Sequence, residues 1–139
     1  MEKLITIIIP TYNMEHYLGK CLKTLVISEE NMELLEVLVI NDGSKDASSS
    51  IAHDFEDKYP TTFRVIDKEN GNYGSCINRG LQEARGKYVK VLDADDFFQN
   101  DVFDEFVNYL RDEEVDLIIT DCTIVDTDGN IMFVVDKFV

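Results

Sequence analysis

The chain has 139 residues, which is enough for one domain built around one hydrophobic core. Hydrophobic residues make up 45% of the sequence and charged residues 29%, a balance that excludes a disordered chain. The 28 acidic and 13 basic residues give a net charge of −15, which disfavours binding to nucleic acid or to anionic lipid. Residues 93–139 hold 14 of the acids against only Arg111 and Lys137, so the C-terminal third is an acidic pole of net charge −12.

The first half of the chain alternates apolar runs with helical patterns. Residues 4–9 form an apolar run that Pro10 closes, which predicts a buried strand. Apolar residues then recur at helical spacing over residues 17–25. Residues 37–40 predict a second buried strand, and residues 51–55 carry the apolar positions of a second helix that stops before Pro60.

The second half continues the alternation. Residues 63–66 predict a third strand, and a Gly- and Asn-rich loop leads from it into a helix over residues 77–84. A fourth strand is predicted at 88–92, a helix over 102–110 and a fifth strand at 115–120. The turn sequence at 126–130 then predicts a C-terminal hairpin.

Polar residues ahead of three of these helices are typical of N-caps. They are Asn13 for the first helix, Ser44 or Asp46 for the second and Asn100 for the last.

Continuously apolar strands that alternate with helices predict a single α/β domain. We expect three layers, α/β/α, around a mostly parallel sheet that is covered on both faces. Ligands of such folds bind outside the carboxyl ends of the strands, so the residues that follow each strand are the candidates for a functional site.

Three carboxylates follow the predicted fourth strand, and they are the sharpest chemical feature of the sequence. Asp93, Asp95 and Asp96 lie in four residues, and carboxylate oxygens at this density suit Mg²⁺ or Mn²⁺. The alternative is a group of acids at the start of the next helix, where the helix dipole favours negative charge. The position of the cluster at the end of a buried strand favours the metal site.

The three cysteines indicate a reducing compartment. Cys21, Cys76 and Cys122 are odd in number and far apart, and they form no C-x-x-C pair, so we expect free thiols buried as small hydrophobes. The sequence carries neither a run of about 20 apolar residues nor a signal-peptide pattern. A cytoplasmic location is expected.

Taken together in this order, the loops resemble glycosyltransferase family 2, whose members have the Rossmann-like GT-A fold. The matching strings are residues 5–13 (ITIIIPTYN), 39–44 (VINDGS) and 93–96 (DADD), and between them residues 74–80 and 84–88 match the middle helix of the family and its exit. The resemblance covers essentially residues 4–125. It implies transfer of a sugar from a nucleotide-sugar donor, most often a UDP-sugar, with a divalent cation.

The resemblance also implies roles for matched positions. Nine of them would contact the nucleotide sugar: Pro10, Thr11, Tyr12, Asn13, Asn41, Asp42, Asn78, Asp93 and Ala94. Asp42, or Asn41 beside it, would accept a hydrogen bond from the uracil edge, although Asn-Asp-Gly-Ser is also a good turn sequence. Asp93 and Asp95 would form the D-x-D motif, in which one carboxylate binds Mn²⁺ or Mg²⁺ and the other binds the ribose or the waters of the metal, with Asp96 as a further ligand.

This sequence departs from the family pattern in two places. Where many members carry Ala-Arg-Asn in the middle helix, residues 76–78 read Cys-Ile-Asn. Inverting members also need a carboxylate general base beyond the D-x-D. Since Asp121 and Asp126 are more easily explained as strand-end and turn residues, we expect the base beyond Val139 and regard residues 1–139 as the donor-binding part of a truncated domain.

Partners and alternatives follow from this interpretation. The acceptor would be a glycan or a lipid-linked sugar, and the full-length protein could lie at the inner membrane face. An apolar strand edge after Val134 would favour a homodimer. Two other functions stay open at this point: nucleotidyl or phosphate transfer by the same carboxylates, and a non-catalytic α/β binding domain.

Overall fold

A computed structural model describes residues 2–135 of the chain. Five helices lie within this range: α1 (Leu18–Lys23), α2 (Glu29–Met32), α3 (Ser48–Lys58), α4 (Tyr73–Glu83) and α5 (Asn100–Leu110). The six strands are β1 (Ile5–Thr11), β2 (Leu35–Asp42), β3 (Phe63–Lys68), β4 (Tyr88–Val91), β5 (Cys122–Val125) and β6 (Ile131–Val135). None of these helices is long and apolar enough to span a bilayer.

The first four strands form one parallel sheet in the order β3-β2-β1-β4. Every residue of β1 and of β2 is buried, because their Ile, Leu and Val side chains are covered on both faces. The predicted α/β fold with a mostly parallel sheet is confirmed. The sequence order reverses at β1, so the carboxyl ends of β1, β2 and β4 meet at the edge where such sheets bind ligands.

The helices cover the two faces of the sheet. Ile5, Ile7 and Ile9 belong to a large core with residues of α1, α3 and α5, whereas Ile8 points to the opposite face, towards Cys76 of α4. α4 lies very close to β1: a Cβ atom on Gly80 would be 2.5 Å from Cγ2 of Ile8. This contact fixes the height of α4, and therefore of its N-terminus, above the sheet.

A buried polar bridge fixes the entry into β4. Thr6 Oγ1 donates to Glu36 Oε1 at 2.8 Å, and the same glutamate oxygen accepts from the backbone N–H of Arg85 at 2.8 Å. The N–H of Gly86 in turn donates to Thr6 Oγ1 at 2.9 Å. The bridge satisfies polar groups that burial would otherwise leave without partners.

The predicted fifth strand at residues 115–120 is wrong. This segment has no strand structure, and Leu117 is 75% exposed. Its neighbour β4 contacts it through side chains instead, since the hydroxyl of Tyr88 donates to the carbonyl of Val115 at 2.8 Å. The strand that follows α5 is β5, which pairs with β6 as the predicted hairpin.

Several helix boundaries also differ from the prediction. α1 begins at Leu18 with Tyr17 at the N-cap, so Asn13 does not cap it. Asn100 is the first residue of α5 rather than its cap, and its side chain donates to the carbonyls of Thr24 and Val26. Short α2 was not predicted.

Two further expectations concern cysteines and the chain end. Cys21 and Cys76 are buried free thiols as expected, but Cys122 is exposed because β5 lies in the two-stranded hairpin. The strand edge predicted after Val134 falls mainly on residues 136–139, which lie outside the described residues. The general base predicted beyond Val139 would lie outside this sequence and stays a prediction.

Candidate functional site

A cleft of about 420 Å³ opens at the carboxyl edge of the parallel sheet. This volume is within the range of small-ligand sites. Residues from four connections line it: Pro10, Thr11, Tyr12, Met14, Asp42, Asn70, Asn72, Tyr73, Cys76, Asp93, Ala94 and Asp95. The cleft therefore lies where the order of the strands predicts a ligand site.

The loops after β1 and β2 are joined by reciprocal hydrogen bonds and form one wall of the cleft. The N–H of Asn13 donates to Ser44 Oγ at 3.0 Å, and Asn13 Oδ1 accepts from the N–H of Lys45 at 2.8 Å. Asn13 has a φ of +51°, a left-handed conformation that asparagine tolerates better than most residues. This geometry turns Tyr12 to the surface beside the cleft.

Farther along the same wall, Glu15 and Asp46 continue the pairing. The N–H of Glu15 donates to Asp46 Oδ2 at 3.1 Å, and Glu15 Oε2 accepts from the N–H of Ala47 at 3.1 Å. Asp46 also accepts from the N–H of Ser48 at 2.9 Å, at the first turn of α3. The loops after β1 and β2 are thus one hydrogen-bonded unit.

Asp42 ends β2 and holds the loop between β3 and α4. Its carboxylate is 3% exposed; Oδ1 accepts from Lys68 Nζ at 2.6 Å and from the N–H of Gly71 at 2.8 Å, and Oδ2 accepts from the N–H of Asn72 at 3.0 Å. Burial acts to raise the pKa of Asp42, but the hydrogen bonds from Lys68 and Gly71 outweigh it and hold the pKa below its ordinary value. Asp42 is therefore a carboxylate anion that organises the back of the cleft.

The three acids after β4 form a compact cluster on the opposite wall. Asp93, Asp95 and Asp96 each offer a carboxylate oxygen within 4.8 Å of the others. Buried Ala94 separates the first two, so its neighbours on either side carry their side chains outward. Burial, together with the charges of Asp95 and Asp93, raises the pKa of Asp96. A bound divalent cation would relieve this repulsion, and the donor set is the one that Mg²⁺ and Mn²⁺ prefer.

Tyr73 connects the two walls. It is the first residue of α4, and its hydroxyl donates to Asp93 Oδ1 at 2.6 Å. This hydrogen bond and partial burial raise the pKa of Tyr73 to about 12, so the phenol is protonated at neutral pH. Neutral Tyr73 thus holds one oxygen of the acidic cluster without adding charge to it.

The structure brings together most of the residues that the sequence singled out, but not all of them. Four predicted positions lie outside the described lining of the cleft: Asn13, Asn41, Asn78 and Asp96. Asn13 holds the neighbouring loop, and Asp96 belongs to the acidic cluster. Asn78 lies exposed on α4.

Asn41 is buried behind the cleft in a polar chain. Its side-chain N–H donates to Asp67 Oδ1 at 2.7 Å, and Asp67 Oδ2 lies 2.7 Å from His53 Nε2. His53 Nδ1 lies 2.9 Å from Glu56 Oε1, and these two carboxylates raise the pKa of His53. This series of hydrogen-bonded side chains fixes the orientation of the Asn41 amide.

Sequence reasoning missed the contribution of the loop after β3. Lys68 lies 26 residues from Asp42, and only the parallel pairing of β2 with β3 places them side by side. Asn72, which caps α4 with a φ of +79°, could have been found from its position just ahead of a helical pattern.

Comparisons with known proteins identify relatives over nearly the whole chain. The family model described as "Glycosyl transferase family 2" matches residues 6–138. The putative glycosyltransferase EpsH of Bacillus subtilis is 34% identical over 115 residues, which cover 83% of this chain and 32% of EpsH. The glycosyltransferase GlyA of Streptococcus pneumoniae is 32% identical over 119 residues, which cover 86% of this chain and 17% of GlyA.

Solved structures show the same fold. The structure of S. aureus TarS 1–349 in complex with UDP-GlcNAc superposes with a TM-score of 0.66 at 26% identity, over 77% of this chain and 31% of that one. The mannosyltransferase PcManGT of Pyrobaculum calidifontis, solved with GDP-Man and Mn²⁺, gives a TM-score of 0.68 at 24% identity over 81% of this chain and 33% of that one. The chain thus spans about a third or less of the length of these proteins.

Proposed function

Because the chain belongs to glycosyltransferase family 2, we propose that its cleft binds a nucleotide-sugar donor together with a divalent cation. The whole protein would transfer the sugar from that donor to a hydroxyl group of a glycan or lipid-linked acceptor. The observation that carries this proposal is the placement of three clustered carboxylates and the β1–β2 wall on either side of one cleft at the carboxyl edge of the sheet.

The cation would be held by Asp93 and Asp95, with Asp96 as a third ligand. Mn²⁺ and Mg²⁺ both suit such oxygen donors. When bound, the cation offsets the negative charge that grows on the diphosphate as the sugar bond breaks. The acidic cluster alone would repel a nucleotide sugar, so without the cation the donor would bind only weakly.

The nucleoside would lie against the opposite wall. Thr11 and Tyr12 line the cleft there, and the aromatic ring of Tyr12 is exposed and free to stack on a base or sugar. Asp42 is the proposed acceptor for the uracil N–H, in addition to its role in holding the loop after β3. The complexes of S. aureus TarS with UDP and with UDP-GlcNAc support a UDP-sugar as the donor.

Two carboxylates beyond the cluster are poor candidates for the general base of an inverting transfer. Asp126 Oδ1 accepts from the N–H groups of Asp128 and Asn130 and so closes the hairpin turn. Asp121 lies just ahead of β5, outside the lining of the cleft among the residues described. We therefore propose that this chain binds the donor. Transfer of the sugar to the acceptor, in the cytoplasm, would be carried out by the whole protein.

The proposal is tested by calorimetric titration of UDP into the chain with and without Mn²⁺. We expect Mn²⁺ to strengthen UDP binding and the Asp95→Ala variant to lose about tenfold in this effect or more. The matched control is Asp101→Ala, which removes an exposed acid of α5 outside the cluster and should leave the metal effect intact.

Three results would count against the proposal. Inorganic phosphate that binds as well as UDP would favour phosphate or nucleotidyl transfer. An equal loss of the Mn²⁺ effect in Asp95→Ala and in Asp101→Ala would mean that these acids act only through the overall negative charge. Absence of any Mn²⁺ effect would favour a helix-start role for Asp95 and Asp96 and a binding domain without metal chemistry.

A further inference from the structure

Tyr73 is placed more firmly than an exposed loop aromatic needs to be. The residue before it, Asn72, has a φ of +79°, donates its N–H to Asp42 Oδ2 and accepts from the N–H of Ser75 at 3.3 Å. These contacts fix the backbone at the start of α4 from two sides. The ring of Tyr73 is nevertheless 52% exposed, so burial of its apolar surface does not explain its position.

The hydroxyl of Tyr73 accounts for the position. It donates to Asp93 Oδ1 at 2.6 Å, across the cleft from Asp42. A carboxylate in a cluster with two others is repelled by them and, without an anchoring hydrogen bond, exchanges between several rotamers. A neutral donor on one oxygen removes this freedom and leaves the second oxygen, Oδ2, for another partner.

We propose that Tyr73 is a positioning residue, whose hydroxyl orients Asp93 so that Oδ2 is presented to the divalent cation of the donor site. This inference rests on the proposed function, because it requires that Asp93, Asp95 and Asp96 hold a cation. Partners of a ligating carboxylate set its orientation and the affinity of the metal site. Tyr73 therefore raises the affinity of the site for the cation without itself binding the cation.

The backbone contacts of Asn72 extend this role to the other wall. Asp42 anchors Asn72, and Asn72 places Tyr73 at the first position of α4. The nucleoside side and the metal side of the cleft are thus connected through two consecutive residues. A cation bound at the acidic cluster would meet a ligand that is already oriented by the wall on which the nucleoside lies.

The test is the Mn²⁺ affinity of the Tyr73→Phe variant, measured by electron paramagnetic resonance of free Mn²⁺. We expect the affinity to fall about tenfold, because Phe keeps the ring and loses only the hydroxyl that holds Asp93. The weak binding of UDP without metal should be unchanged in Tyr73→Phe. General loosening of the fold would instead weaken the binding of Mn²⁺ and of UDP together, so a loss confined to Mn²⁺ affinity identifies the positioning role. Tyr17→Phe is the matched control, because Tyr17 is similarly exposed and lies outside the described lining of the cleft.

A second measurement uses terbium as the probe. The sequence has no tryptophan and six tyrosines, so tyrosine is the main sensitiser of Tb³⁺ emission, and Tyr12 and Tyr73 are the two tyrosines in the described lining of the cleft. Tb³⁺ favours the same carboxylate oxygens, and its sensitised emission should be strong in the wild type and in Tyr17→Phe and should fall much further in Tyr73→Phe than in Tyr12→Phe. Emission that falls no further in Tyr73→Phe than in Tyr12→Phe at equal Tb³⁺ occupancy would overturn the placement of Tyr73 beside the cation.

The remaining outcomes separate the two proposals. Unchanged Mn²⁺ affinity in Tyr73→Phe, with normal binding by the wild type, overturns the positioning role and leaves the donor site standing. Tighter binding in the variant also overturns it, because the hydroxyl would then compete with the cation for Asp93. Failure of the wild type to bind Mn²⁺ overturns the metal part of the proposed function and this inference with it.

Discussion

A methyl group added at Gly80 measures how strongly the close approach of α4 to β1 constrains the fold. The Cβ of an alanine there would lie 2.5, 2.8 and 2.9 Å from three side-chain carbons of Ile8, about 1 Å inside normal contact distance. Ile8 is fully buried and has no solvent to move into. Overpacking of this kind costs about 1–3 kcal/mol, and the better helix propensity of alanine returns about 1 kcal/mol. We expect Gly80→Ala to lower the free energy of unfolding by up to about 2 kcal/mol.

The matched control is Gly19→Ala in α1, where the added Cβ meets no atom within 4 Å. This variant gains the helix propensity without the clash, so it should stabilise the protein by up to about 1 kcal/mol. The assay is urea unfolding followed by circular dichroism. If Gly80→Ala and Gly19→Ala change the free energy of unfolding in the same direction and by the same amount, the inferred steric limit at the α4–β1 contact is refuted.

Two further predictions concern charged groups around the cleft. Asp42→Asn should lower the free energy of unfolding by about 3 kcal/mol at pH 7, because it breaks a buried ion pair, whereas the matched exposed change Asp57→Asn should stay within about 0.5 kcal/mol. Since the folded pKa of Asp42 lies below 3.8, its contribution is present above that pH and is lost as the pH falls through the folded value; urea titrations of wild type and Asp42→Asn that keep a constant gap throughout would contradict this. His53 has the opposite sign: its folded pKa is raised above 6.5 by its contacts with Asp67 and a second carboxylate, so the stability it adds is complete below pH 6.5 and declines as the pH rises through the folded pKa. Unfolding of His53→Gln across this interval should differ from wild type mainly at the acidic end, and a difference independent of pH would refute the assignment.

The two central strands of the parallel sheet, β1 and β2, could be predicted from the sequence because their side chains are mostly apolar on both faces. The run at residues 4–9 became β1 of seven residues and the run at 37–40 became β2 of eight, so both strands extend into the residues that follow each run. The same reasoning failed at 115–120, where four of the six residues are apolar. An apolar run specifies a strand only when a neighbouring strand accepts its hydrogen bonds, and composition does not report that partner.

The residues of the candidate site were predictable to the extent that each is fixed by its own loop. Asp93 and Asp95 follow directly from the end of β4, and Asp42 follows from the end of β2. The hydrogen bonds that orient them come from Tyr73 and Lys68, which lie 20 and 26 residues away along the chain. Such partners are set by the register between strands and by the height of α4 above the sheet, so they emerge only when the elements are assembled.

The pairing of the loops after β1 and β2 has a consequence for how this sequence can diverge. Asn13 exchanges hydrogen bonds with Ser44 and Lys45, and Glu15 does the same with Asp46 and Ala47. Each of the four bonds joins an acceptor side chain of one loop to a backbone N–H of the other, so losing the side chain at 13, 15, 44 or 46 leaves an N–H of the opposite loop without its partner. Positions 13, 15, 44 and 46 should therefore each keep a side chain that accepts a hydrogen bond, whereas positions 45 and 47, which contribute only backbone N–H groups to these bonds, are free to vary as long as proline is avoided.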